Sequence, residues 1–146
     1  MNVEPMLSTH PRVHGQATDI FVLATDACFD CAQACRACAD ACLGEEKLAE
    51  LRNCIDMNLD CADVCFATGD LAIRRVLRTT NMVMRRIDFD ERVMELMFET
   101  CTEVCRRCGD ECMCHAEHHK HFRRCAQVCR CCEQTCRNAA RALTVH

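Results

Sequence analysis

The chain has 146 residues, 18 of them cysteine, with 4 glycines, 2 prolines and no tryptophan or tyrosine, a length that suits one compact domain. Its formal net charge of -4 gives no electrostatic reason to expect a nucleic-acid partner, and no stretch approaches the length of a membrane span. Leu, Ile, Val and Phe together number only 30, thin for an ordinary core, so another residue type must fill the interior; a free thiol can, because it packs as a small hydrophobe.

A short chain rich in cysteine is usually a secreted disulfide scaffold. Such scaffolds are loop-rich and punctuated by Gly and Pro, whereas here both are scarce and Ala surrounds the cysteines. Residues 1–17 read as an N-terminal arm carrying Glu4, Pro5, His10, Pro11, Arg12 and His14, with no apolar run of the kind an export signal needs. The expectation is a reducing cytoplasm, where thiols stay available for metal.

Cys28, Cys31, Cys35, Cys38 and Cys42 step by 3, 4, 3 and 4, the a/d period of a helix facing a bundle interior. Phe21 and Ala24 extend the stripe backwards, while Asp26, Gln33 and Asp40 fall on the far side. Gly44 reads as the stop. A second helix over about residues 46–68 places Leu51, Cys54, Asn58, Cys61 and Cys65 in the same alternation, with Gly69 as its stop. Residues 70–87 read as a crossover, helical in part from Leu71 to Leu77, whose Arg74, Arg75, Arg78, Arg85 and Arg86 make a solvated face.

The third helix is expected to begin at Asp88, with Glu91 three residues on in a capping-box pattern. Its stripe is Met94, Phe98, Cys101, Cys105, Cys108 and Cys112. The fourth carries Phe122, Cys125, Cys129, Cys132 and Cys136. Sixteen of the 18 cysteines are thus in register, with Cys114 and Cys131 off it, where chance would place about two in seven. Short links at Gly44 and around Ala116 predict an all-α, up-down-up-down four-helix bundle with a Cys-lined core, one domain over residues 1–146.

Residues three and four apart on a helix bring their Cβ atoms to about 5–6 Å, so neighbouring thiolates can clasp a two-coordinate ion. Soft thiolates select copper(I), zinc or iron-sulfur clusters, and charge decides among them. Zinc on four thiolates leaves a buried -2 at every site, costly when sites are stacked in a narrow core. Copper(I) bridged by thiolates at about one ion per Cys gives a nearly neutral core. Zinc sites and iron-sulfur clusters also use discrete groups of ligands, not continuous ladders. All 18 cysteines, Cys114 and Cys131 included, are candidate ligands for many Cu(I) ions.

Asn58 is a polar residue in the Cys register, open to two readings: a satisfied core amide, or an oxygen ligand at the edge of a cluster. His115, His118, His119 and His121 fall at the turn between helices three and four, the same end as Gly44, and are open to two readings: a solvated polar turn, or a ring of ligands at the mouth of the core, with His115 and His119 continuing the Cys register of helix three. Met57, Met82 and Met94 read as packing residues. No isolated Cys with its own base suggests an enzyme.

Three runs carry a family resemblance: F-D-C-A-Q-A-C-R-A-C-A-D-A-C-L-G-E from Phe29 to Glu45, N-L-D-C-A-D-V-C from Asn58 to Cys65, and H-x-x-x-H-x-H at His115, His119 and His121. On these the chain resembles the copper storage proteins, most closely their cytosolic members. The resemblance implies a four-helix bundle, usually a homotetramer, whose inward thiolates hold many copper(I) ions and whose open end carries histidines. Relative to that pattern the link at residues 70–87 is long, Cys114 and Cys131 look like additions, and Phe122 stands where a further Cys is expected. The competing expectation is an iron-sulfur or zinc-thiolate redox protein.

Overall fold

Cysteine at alternating three- and four-residue steps turns one face of each helix inward, and the inward faces can only be buried against one another. The structure, a computed structural model, describes residues 5–6, 9, 20–80 and 90–144. Four helices result: α1 (Ile20–Leu43), α2 (Arg52–Thr80), α3 (Glu91–Cys114) and α4 (Lys120–Thr144), with a 3-10 turn over Leu48–Leu51 leading into α2. The expected arm at residues 1–17, Asp88, Arg85, Arg86, Met82 and His146 lie outside what can be described, apart from short pieces at residues 5–6 and 9.

Three helix boundaries differ from expectation, the first being the start of α2, which lies at Arg52 after the 3-10 turn and not at about residue 46. α2 does not stop at Gly69 but runs on to Thr80, taking in the stretch from Leu71 to Leu77 expected to be helical, while residues 81–87 of the expected crossover lie outside the described residues. A Cβ added at Gly69 would lie 3.0 Å from Cε1 of Phe29 and 3.2 Å from Cβ of Cys28. The missing side chain therefore serves close approach of α1 and α2, not termination. At the start of α3 the cap is Asp90, not Asp88: its Oδ1 accepts from the backbone N–H of Arg92 at 3.0 Å and of Val93 at 3.1 Å, satisfying two of the helix's orphan donors. α1 does end at Leu43, next to Gly44.

α1 packs on α2 and α4, and α3 on the same two helices; the diagonal backbones stay apart. Sequential neighbours run antiparallel, in an up-down-up-down bundle. The sulfur atoms close the gap across the diagonal. Cys28 meets Cys101 at 3.9 Å, Cys31 meets Cys105 at 3.8 Å and Cys35 meets Cys108 at 3.9 Å. A larger core residue at these positions would force the helices apart, so thiol size and helix spacing are matched.

One end of the bundle is an apolar plug. Phe98, Met94 and Val22 are fully buried beside Phe21 and Leu143, with the Phe21 and Phe98 rings 6.2 Å apart and the Arg75 guanidinium 3.6 Å over the Phe21 ring. Burying each of these large side chains contributes about 1.5–3 kcal/mol, a conventional core segment beyond the sulfur one. The opposite end is the turn between α3 and α4, with the histidines.

Candidate metal centre

Helical periodicity places sixteen cysteines inside and leaves two out. Cys28, Cys31, Cys35, Cys38, Cys42, Cys54, Cys61, Cys65, Cys101, Cys105, Cys108, Cys112, Cys125, Cys129, Cys132 and Cys136 are buried, and none of the 18 is in a disulfide. Cys114 and Cys131, off the register in the sequence, are exposed and stand outside the core. Cys114 donates instead to the backbone oxygen of Asp110 at 3.4 Å.

The buried sulfurs form one ladder. The quartet Cys28, Cys101, Cys132, Cys136 shares Cys101 and Cys132 with a second, Cys65, Cys101, Cys105, Cys132. The second shares Cys65 and Cys105 with Cys31, Cys61, Cys65, Cys105. The third shares Cys31 and Cys61 with Cys31, Cys35, Cys61, Cys129, which shares Cys35 and Cys129 with Cys35, Cys108, Cys125, Cys129. Within each quartet the sulfurs lie within 4.8 Å of one another, and neighbours such as Cys65 and Cys105 approach to 3.4 Å. With metal–thiolate bonds of about 2.3 Å, one ion can bridge any such pair.

Asn58 interrupts the ladder toward the histidine end and is fully buried. Its Nδ2 donates to the backbone oxygen of Cys54 at 2.8 Å, while Oδ1 accepts from Cys125 at 3.1 Å and Cys108 at 3.4 Å. In the metal-free protein it is a satisfied core amide; the same oxygen points at two thiols, so the ligand reading keeps its geometry.

Beyond Asn58 the core opens. Sγ of Cys38 is 3.6 Å from Nδ1 of His121, and Nε2 of that ring is 3.1 Å from Oε1 of Glu45. The same carboxylate oxygen is 3.2 Å from Nδ1 of His119. His115 lies 3.3 Å from Glu111. Phe122, fully buried, underlies all three imidazoles, its ring centroid 4.1 Å from His121, 5.1 Å from His115 and 5.9 Å from His119. His118 is exposed on the rim. Sequence reasoning missed both carboxylates as partners of the histidines: the i, i+4 spacing from His115 could have found Glu111, whereas Glu45 comes from the distant α1 link.

Met94 and Met57 belong to other surroundings than the sulfur ladder. Met94 belongs to the apolar plug, and Met57 receives a hydrogen bond from Asn53 at 3.5 Å. Burial pushes the Cys42 thiol above its ordinary range. Cys105 is held up too, by its hydrogen bonds to Cys101, Cys132, Cys31 and Cys61 and by burial. Burial raises the cost of charging these two thiols, and a cation that replaces their protons removes it.

The profile of the copper storage protein family matches residues 18–141. The copper storage protein Ccsp of Streptomyces lividans loaded with 10 copper equivalents is 40% identical, with a TM-score of 0.75 over 93% of this chain and 96% of that one. A cytosolic copper storage protein of the same organism holding five coppers is 41% identical, with a TM-score of 0.72 over 82% of this chain and 91% of that one. An uncharacterised cysteine-rich protein of Bacillus subtilis, YhjQ, is 30% identical over 115 residues, 79% of this chain and 91% of that protein. Among the described residues no helix is long and apolar enough to cross a membrane.

Proposed function

The chain belongs to the copper storage protein family, and from that premise we propose that it stores many copper(I) ions on the thiolates of its core, without turnover. The observation that carries this reading is the sharing of two sulfurs between each quartet and the next. Discrete zinc or iron-sulfur centres need ligands of their own, whereas bridging copper(I) uses every shared sulfur twice. Protons leave as copper binds, and about one monovalent ion per thiolate keeps the low-dielectric interior close to neutral.

The sixteen buried cysteines are the storage ligands in this reading, with Asn58 at the edge of the cluster and His115, His119 and His121 at the mouth. The cytosolic Streptomyces lividans relative supports a cytoplasmic setting. A homo-oligomer, by resemblance a tetramer, is supported by Leu59, Phe66 and Leu96, large apolar side chains left exposed on the outer faces of α2 and α3. Anaerobic copper(I) titration of reduced protein with quantified thiols, against a copper(I) chelator, tests the function. The expected plateau is near one ion per buried Cys; a plateau near about four ions, as isolated four-thiolate sites supply, overturns the continuous core.

A further inference from the structure

At the mouth, one carboxylate oxygen stands between two imidazole nitrogens: Oε1 of Glu45 is 3.2 Å from Nδ1 of His119 and 3.1 Å from Nε2 of His121. Two ligands bonded at about 2.0–2.1 Å to one tetrahedral ion lie roughly 3.3 Å apart, close to both separations. The three side chains are partly exposed, and Glu45 and His119 line a cleft of 760 Å³ together with Glu46, Glu50 and Glu117, with Lys47 the one Lys or Arg there. The cleft therefore concentrates cations. Carboxylate is a poor ligand for soft copper(I), while nitrogen and oxygen together suit divalent ions of the zinc class.

We propose that Glu45, His119 and His121 close on a single divalent cation of the zinc class, at a nitrogen–oxygen site separate from the sulfur ladder. The fourth position faces the cleft and is open to water. Because His121 also faces Cys38 through its other nitrogen, a divalent ion here stands across the route from solvent to the core. Zinc at the mouth then slows copper(I) uptake without occupying storage sulfur. This inference rests on the storage reading for its consequence but not for the site itself.

The test uses the full chain, first loaded with copper(I) and its capacity measured, then titrated with cobalt(II) as a spectroscopic stand-in for zinc. One cobalt per chain is expected, with visible ligand-field bands and no near-ultraviolet sulfur-to-cobalt charge-transfer band. Glu45→Ala and His119→Ala should each weaken cobalt binding by about tenfold or more, with circular dichroism confirming that the variants remain helical. Zinc added before copper(I) to the native protein should slow uptake, and should do so less in Glu45→Ala. No saturable cobalt site, a sulfur charge-transfer band, or unchanged affinity in Glu45→Ala overturns the proposal. A copper(I) capacity of only about four ions would instead count against storage, and the cobalt titration still reads the mouth.

Discussion

Cys38 and His121 meet at 3.6 Å, sulfur to Nδ1, and this contact joins the buried sulfur ladder to the histidine mouth. At the other end Phe21, Met94, Phe98 and Leu143 close the bundle. Copper(I) therefore has a polar way in at one end and an apolar plug at the other. The His115→Ala, His119→Ala, His121→Ala triple variant should fill and empty more slowly at neutral pH, with nearly the native capacity. Native loading rates together with a loss of several ions would make these histidines storage ligands.

The metal-free chain should already be a helical bundle, because protonated thiols pack as hydrophobes and the apolar plug needs no ion. Far-UV circular dichroism of reduced, metal-free protein checks this, and a mostly random-coil spectrum would refute it.

Stability of that metal-free state should fall at alkaline pH. Cys42 has its folded-state pKa raised by burial. A raised folded pKa contributes stability that is fully present below the unfolded thiol value of about 8.5 and is lost as pH climbs through the folded value. Urea unfolding under argon should give a lower midpoint at about pH 10 than at about pH 7. A flat or rising midpoint would show that core thiols ionise as easily folded as unfolded.

Gly69 and Gly109 both lie inside helices, and alanine should act on them in opposite directions. Alanine gains about 1 kcal/mol of helix propensity at either site. At Gly69 the new methyl meets Cβ of Cys28 at 3.2 Å, which cannot move without the helix, and the Phe29 ring at 3.0 Å. Overpacking of this kind costs about 1–3 kcal/mol, so Gly69→Ala should be net destabilising. At Gly109 the neighbour is the tip of Arg130 at 3.2 Å, which can swing aside, so Gly109→Ala should be neutral or stabilising. Thermal unfolding of both reduced, metal-free variants decides; a stabilised Gly69→Ala would mean that α1 and α2 are not this close.

Asn58→Ala removes a fully buried amide and strands the hydrogen bonds of Cys108 and Cys125. Cavity and lost hydrogen bonds together should cost the metal-free protein about 2–4 kcal/mol, read by urea unfolding. A cost below about 1 kcal/mol would shift the weight to Asn58 as a ligand.

Helical periodicity is local, so the inward face could be read without coordinates: all sixteen in-register cysteines, Asn58, Met94, Phe98 and Phe122 are buried, and Cys114 and Cys131 are not. The helix count follows for the same reason. What tertiary structure decided are relationships between residues far apart in the chain. Gly69 reads as a stop until Phe29 of the facing helix is seen against it, because an absent side chain is defined only by what takes its place. The capping-box spacing points to Asp88 for the start of α3, whereas the backbone and side chain of Asp90 form the cap. Glu45 lies 76 residues from His121 along the chain, so no spacing rule links them. The sharing of sulfurs between quartets likewise arises only where four helices bring their separate stripes to one axis, since a ligand set for a bridging ion depends on distances across helices and not along them.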